Sequence, residues 1–143
     1  MKSNATAVWS GGLKDGKGTI SAGTGSFLDT PYDFGKRFEG KAGPGTTPEE
    51  LIAAAHAGCF SMAFSGELGK AGFTPERIVT RAVVTLEPVD GKPTVSSSRL
   101  ELRAKIPGID RAKFEELANG AKAGCPISRL LNTTISLEAT LES

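Results

Sequence analysis

Thr47-Pro48-Glu49-Glu50 opens a segment whose continuation, Leu51 to Gly66, carries no charged residue when His56 is neutral. Thr47 suits a helix N-cap, Pro48 fits the first helical position where its missing N–H costs nothing, and Glu50 completes a capping box. The pattern predicts a helix from Pro48 to Gly69 or Gly72, closed by Gly72-Phe73-Thr74-Pro75. Between Leu51 and Phe64 this helix is apolar nearly all round, so it has no wet face and must be covered on most sides. A chain of 143 residues with short strands would struggle to supply that cover. The expected architecture is therefore a central helix wrapped by sheet, with a second copy of the chain providing part of the wrapping.

The flanking segments read as strands, turns and shorter helices. The first forty residues suggest short strands at Thr6–Trp9 and Gly18–Ser21, broken by glycine-rich turns, and residues 40–45 form a loop by composition. Ile78–Leu86 and Val95–Ile106 alternate in part and flank Asp90-Gly91, which predicts an antiparallel hairpin with Leu100, Leu102, Ala104 and Ile106 on one face. Asp110 is placed to cap a helix over Arg111–Lys122, Cys125-Pro126 to start a short helix reaching about Leu131, and Thr133–Leu141 to close the chain as a strand. This order gives an α+β fold, read as a single domain over residues 1–143.

Charge and cysteine usage narrow the function. Lys plus Arg number 17 and Asp plus Glu 16, a balance that argues against a nucleic-acid footprint or a membrane-attracted basic surface. The 18 glycines fall mostly in turns, and no GxGxxG or Walker-type run opens a helix, so no phosphate-binding loop is expected. Two cysteines, Cys59 and Cys125, are too few for a disulfide-built scaffold or a zinc site of thiolates alone. The N-terminal residues lack a signal-peptide core, and the charge-free run is shorter than the ~18 residues of a membrane span. A cytoplasmic protein with reduced thiols is the expectation.

By position alone the two thiols stay open to ordinary readings. Cys59 lies mid-helix in the apolar run, where a free cysteine is commonly a small core residue. Cys125 precedes a helix-starting proline, where free N–H groups favour a thiolate, although packing alone can also place it there. His56 shares a helical face with Cys59. A Cys–His nucleophilic pair is conceivable, but a histidine hydrogen-bonded in a crowded helix interface is the preferred reading.

The segment from Pro31 to Gly40 followed by Pro48 to Ala63, together with Lys122 to Ser128, closely resembles the OsmC family of thiol peroxidases, and His56 in the first cysteine motif resembles its OsmC branch. The resemblance extends over nearly the whole chain. Departures are Gly58, where alanine is common, and a slightly longer loop at Gly43–Thr46. It implies an OsmC-like fold, with antiparallel sheets around long central helices in an intertwined homodimer. It further implies that Cys59 is the peroxidatic cysteine and Cys125 the resolving one, that Arg37 holds Cys59 as a thiolate, and that Glu49 orients Arg37. The implied reaction is reduction of organic hydroperoxides without a bound cofactor or metal, with an external dithiol such as a dihydrolipoyl protein as reductant. Glu49 and Cys59 are ten residues apart, roughly 15 Å along one helix, so Glu49 must act through Arg37 or reach a partner's cysteine, and a composite site is expected. The competing expectations are a non-catalytic dimer that binds an apolar small molecule at its interface and, more remotely, a Cys59–His56 hydrolase.

Overall fold

Asp90 and Gly91 adopt φ values of 51° and 75°, the left-handed pair that a two-residue hairpin turn requires. They join β4 (Arg77–Val89) to β5 (Lys92–Lys105) in an antiparallel ladder. This hairpin belongs to a computed structural model describing all residues from Met1 to Ser143, which form two compact units, Met1–Leu51 and Ile52–Ser143.

In the first unit, β1 (Ala5–Ser10), β2 (Lys17–Ala22) and β3 (Thr30–Tyr32) form an antiparallel sheet in that order. The first two occupy the expected segments. Gly18 is required at its place, because a Cβ there would run into the rings of both Trp9 and Tyr32. Those rings lie 5.4 Å apart between centroids, tilted against each other. After β3 comes α1 (Phe34–Phe38), a single turn that the strand-and-turn reading of this region did not anticipate. Asp33 makes it possible by accepting a hydrogen bond from the Lys36 N–H at 2.8 Å.

The long helix, α2 (Pro48–Lys70), begins and ends close to where the sequence predicts. Only half of the expected capping box forms. Thr47 Oγ1 accepts from the Glu50 N–H at 3.1 Å, while the Glu50 carboxylate turns instead to the hydroxyl of Thr46 at 2.7 Å. Within the second unit Phe60, Phe64 and Leu68 form a fully buried i, i+4 stripe on α2. They pack with Leu100, Leu102 and Ala104 of β5 and with Phe114, Ala118 and Ala121 of α3 (Arg111–Gly124). Phe64 sits at the centre, stacked on Phe60 at 6.1 Å and edge-on to Phe114 at 5.8 Å.

The opposite side of α2 is uncovered in the single chain: Ala54, Ala55 and Gly58 are exposed, and Met62 is 79% exposed. By length and composition α2 could cross a membrane. Two of its polar side chains are paired with other elements of the second unit, Ser61 with Thr80 at 2.7 Å and His56 with two serines.

The hairpin is longer than its hydrophobic pattern suggests. It extends through a Pro88–Pro93 pair, with a register shift at Thr85/Leu86. The expectation of antiparallel sheets holds for β1–β3 and for this hairpin but not for β6 (Thr134–Glu142), which runs parallel to β5. Parallel neighbours need a long crossover, and α3 with the short α4 (Pro126–Leu130) provides it. Asp110 caps α3 as predicted, accepting from the Lys113 N–H at 2.8 Å.

Candidate active site

Two pairs of the sequence-predicted residues come together, one in each unit. In the first, Arg37 occupies the last turn of α1 and Glu49 the first turn of α2. Backbone geometry brings them into register: the Thr46 N–H donates to the Pro31 carbonyl at 2.9 Å. Gly45, at φ +124°, packs so closely on that carbonyl that a Cβ would overlap it. The guanidinium then meets the carboxylate side-on, Nε at 3.0 Å and Nη2 at 2.8 Å from Glu49 Oε1, with Nε 3.3 Å from Oε2. Glu49 is 8% exposed, so a charge with so little water needs this partner. The Arg37 head group also lies over the Phe38 ring at 5.1 Å, and Nη1 has no partner within the chain. Beside it opens a concavity of about 290 Å3 whose walls include Trp9, Leu13, Phe34 and Phe38.

In the second unit, Cys59 is half-buried on α2 and Cys125 is fully buried where α3 ends and α4 begins. Both are free thiols, and their sulfurs are 2.8 Å apart. A disulfide needs about 2.05 Å, so the pair is within about 1 Å of bonding distance. Burial, reinforced by the hydrogen bond with Cys125, pushes the Cys59 thiol above its ordinary pKa, against a smaller opposing effect of the Ile127 N–H. Burial also pushes Cys125 up. There it is outweighed by the hydrogen bond with Cys59, the N–H groups of Ser128 and Ile127, and the Ser128 hydroxyl, which together hold Cys125 below the ordinary thiol value. The two thiols are therefore shifted in opposite directions, Cys59 up and Cys125 down.

His56 fits the hydrogen-bonded reading preferred from sequence. It is fully buried, with Nδ1 2.7 Å from Ser98 Oγ and Nε2 2.8 Å from Ser128 Oγ. Burial lowers its pKa, so the ring is neutral. Both nitrogens are committed to hydroxyls, which leaves neither to activate Cys59 as a hydrolase base nor to ligate a metal. Ser98 and Ser128 escaped the sequence reading. The signal for Ser98 was available: it falls in register with Leu100, Leu102 and Ala104, a hydroxyl on the apolar face of a strand, where a polar group needs a buried partner. Ser128 stood inside the Cys125-Pro126 motif but carried no signal of its own.

A family model described as OsmC-like protein matches residues 39–140. The chain is 48% identical over 137 residues to the peroxiredoxin OsmC of Escherichia coli, covering 96% of this chain and 94% of that protein. It is 31% identical over 117 residues to an organic hydroperoxide resistance protein of Xanthomonas axonopodis pv. citri, covering 80% and 76%. In fold it is similar to the crystal structure of an OsmC-like protein from Mycoplasma pneumoniae, with a TM-score of 0.74 at 16% identity over 100% of this chain and 99% of that one.

Proposed function

The chain belongs to the OsmC-like family, and from that membership and the geometry of its thiols we propose that it is a cysteine-based peroxidase that reduces organic hydroperoxides to alcohols. The observation that carries this reading is the 2.8 Å separation of Cys59 and Cys125. Thiols with only a packing role have no reason to converge from two helices with their sulfurs in contact.

The Cys59 thiolate attacks one peroxide oxygen. The O–O bond breaks, the alkoxide leaves and takes a proton as the alcohol, and Cys59 becomes a sulfenic acid. Cys125 then displaces hydroxide from that sulfur, giving a Cys59–Cys125 disulfide and water. An external dithiol reduces the disulfide by exchange and returns two thiols, so hydroperoxide plus two thiols yields alcohol, water and disulfide. A dihydrolipoyl protein is one reductant of this class, and the cycle suits a reducing cytoplasm.

Cys59 needs help to ionise, because burial and its neighbour both raise its pKa. Arg37 is assigned this role. A permanent cation beside Cys59 favours the thiolate on the sulfur that meets peroxide, and its free N–H groups can polarise the breaking O–O bond. Glu49 holds the guanidinium side-on, so its donors point one way only. Trp9, Leu13, Phe34 and Phe38 beside Arg37 suit an alkyl or aryl group better than the small, fully polar hydrogen peroxide. The exposed face of α2 around Met62 supports assembly as a homodimer, with each site built from both subunits.

The test is consumption of cumene hydroperoxide with excess dithiol. Turnover that disappears in Cys59→Ser supports the reading. Unreactive thiols in a protein that retains an apolar ligand would favour the non-catalytic dimer instead.

A further inference from the structure

His56 is the chain's single histidine and is fully buried, yet no step above employs it. Its ring bridges two elements of the second unit. Nδ1 meets Ser98 on β5 and Nε2 meets Ser128 on α4, and both serines are themselves buried, at 0% and 8% exposure. The α4 end needs such an anchor. The helix has five residues, too few to be stable alone, and its N-cap, Cys125, makes no side-chain capping bond. Ser128 lies in the first turn of this helix, three residues beyond Cys125, so whatever holds Ser128 also sets where the Cys125 sulfur points.

We propose that His56 is a positioning residue for disulfide formation: by pinning Ser128 to Ser98 it holds Cys125 opposite Cys59. A neutral imidazole has one N–H and one bare nitrogen, so the ring donates to one of the two hydroxyls and accepts from the other, and either tautomer ties β5 to α4.

This anchor acts on the second chemical step. The Cys125 sulfur attacks the Cys59 sulfur of the sulfenic acid, the S–S bond forms, the S–O bond breaks, and hydroxide leaves with the former thiol proton as water. Cys125 is oxidised and Cys59 reduced by the same amount, with no further reagent. The inference rests on the reading that Cys125 resolves the sulfenic acid.

Three variants test it. His56→Asn retains a group near Nδ1 but loses the reach to Ser128, His56→Gln extends an amide toward Ser128, and Ser128→Ala removes the partner while leaving the ring in place. After one equivalent of cumene hydroperoxide, His56→Asn and Ser128→Ala should oxidise Cys59 at the wild-type rate. They should then close the disulfide roughly tenfold more slowly, the effect of about one buried hydrogen bond, with Cys59 sulfenic acid accumulating to be trapped by dimedone. His56→Gln should recover most of the closure rate. A general loss of structure would slow both steps together and cannot produce this split. Disulfide closure at the wild-type rate in Ser128→Ala overturns the proposal, and that variant decides the matter if His56→Asn fails to fold. Cys125→Ser is the control: if it does not accumulate sulfenic acid, the resolving role itself falls, whatever the serine and histidine variants do.

Discussion

Cys59 and Cys125 are 66 residues apart in the chain and come from different helices, yet their sulfurs lie 2.8 Å from each other. The contact arises from two unrelated local rules. Cys59 follows the buried edge of an apolar helix, and Cys125 is delivered by the junction where α3 stops and Pro126 starts α4. Neither rule mentions the other, so the meeting of the two thiols is a property of the packed second unit.

That contact separates the roles of the two thiols. Cys59→Ser should abolish hydroperoxide consumption. Cys125→Ser should consume about one equivalent per chain and then stall with Cys59 oxidised, moving to the sulfinic acid as peroxide is raised. Mass spectrometry of the intact chain after a single addition of hydroperoxide reads both results. Sustained turnover of Cys125→Ser at the wild-type rate with a dithiol would show that the 2.8 Å contact is not used in catalysis.

The core beneath the thiols should be intolerant of truncation. Phe64 is fully buried between Phe60 and Phe114, and Phe64→Ala removes both ring contacts and leaves a cavity. A loss of about 3–5 kcal/mol in unfolding free energy is expected, as a lower denaturant midpoint with unchanged slope. The comparison must be made at one protein concentration, because assembly adds to apparent stability. A loss below about 1 kcal/mol would mean that Phe64 does not carry the packing of the second unit.

Much of this was legible in the sequence, and the limits have physical causes. The Thr47-Pro48 helix start, the Asp90-Gly91 turn and the Asp110 cap were readable because each is a local signal, complete within four residues. The single turn Phe34–Phe38 was missed because five residues carry no periodicity and only Asp33 marks it. The direction of β6 was missed because alternation defines which face is buried and says nothing about which way the neighbouring strand runs. Of the site, Cys59, Cys125, Arg37 and Glu49 came from motif resemblance. Ser98 and Ser128 became visible only once three elements converged on the His56 ring.

The same ring sets a pH dependence of stability. Burial holds the His56 pKa below its ordinary 6.5, so the folded protein keeps the ring neutral where the unfolded chain would take up a proton. Between the lowered folded value and 6.5 the unfolded state binds more protons, and stability therefore rises with pH in that window. The full contribution is present above 6.5 and is lost as pH falls toward the folded value, at up to about 1.4 kcal/mol per pH unit. Denaturant midpoints measured from pH 7 downward should fall in the wild type and fall less steeply in His56→Gln. Parallel curves would show that the ring is not the proton acceptor in this range.

The pairing of Arg37 with Glu49 yields the sharpest test of how the site is assembled. Arg37→Lys keeps the charge but loses the planar fork that Glu49 grips through Nε and Nη2, and it should lower kcat/KM by roughly a hundredfold. Glu49→Gln retains one acceptor oxygen and should cost less, about tenfold. If each site takes its cysteine from one subunit and its arginine from the other, Arg37→Ala and Cys59→Ser proteins, each inactive alone, should restore activity when unfolded together and refolded. A mixed dimer would join the intact Arg37 of one variant to the intact Cys59 of the other, completing one of its two sites. Random pairing makes half the dimers mixed, so recovery should approach roughly a quarter of the wild-type rate. No recovery, with mixed dimers demonstrated by a size tag on one variant, would place Arg37 and Cys59 of every working site in the same chain. The composite arrangement would then be wrong even if the thiol chemistry is right.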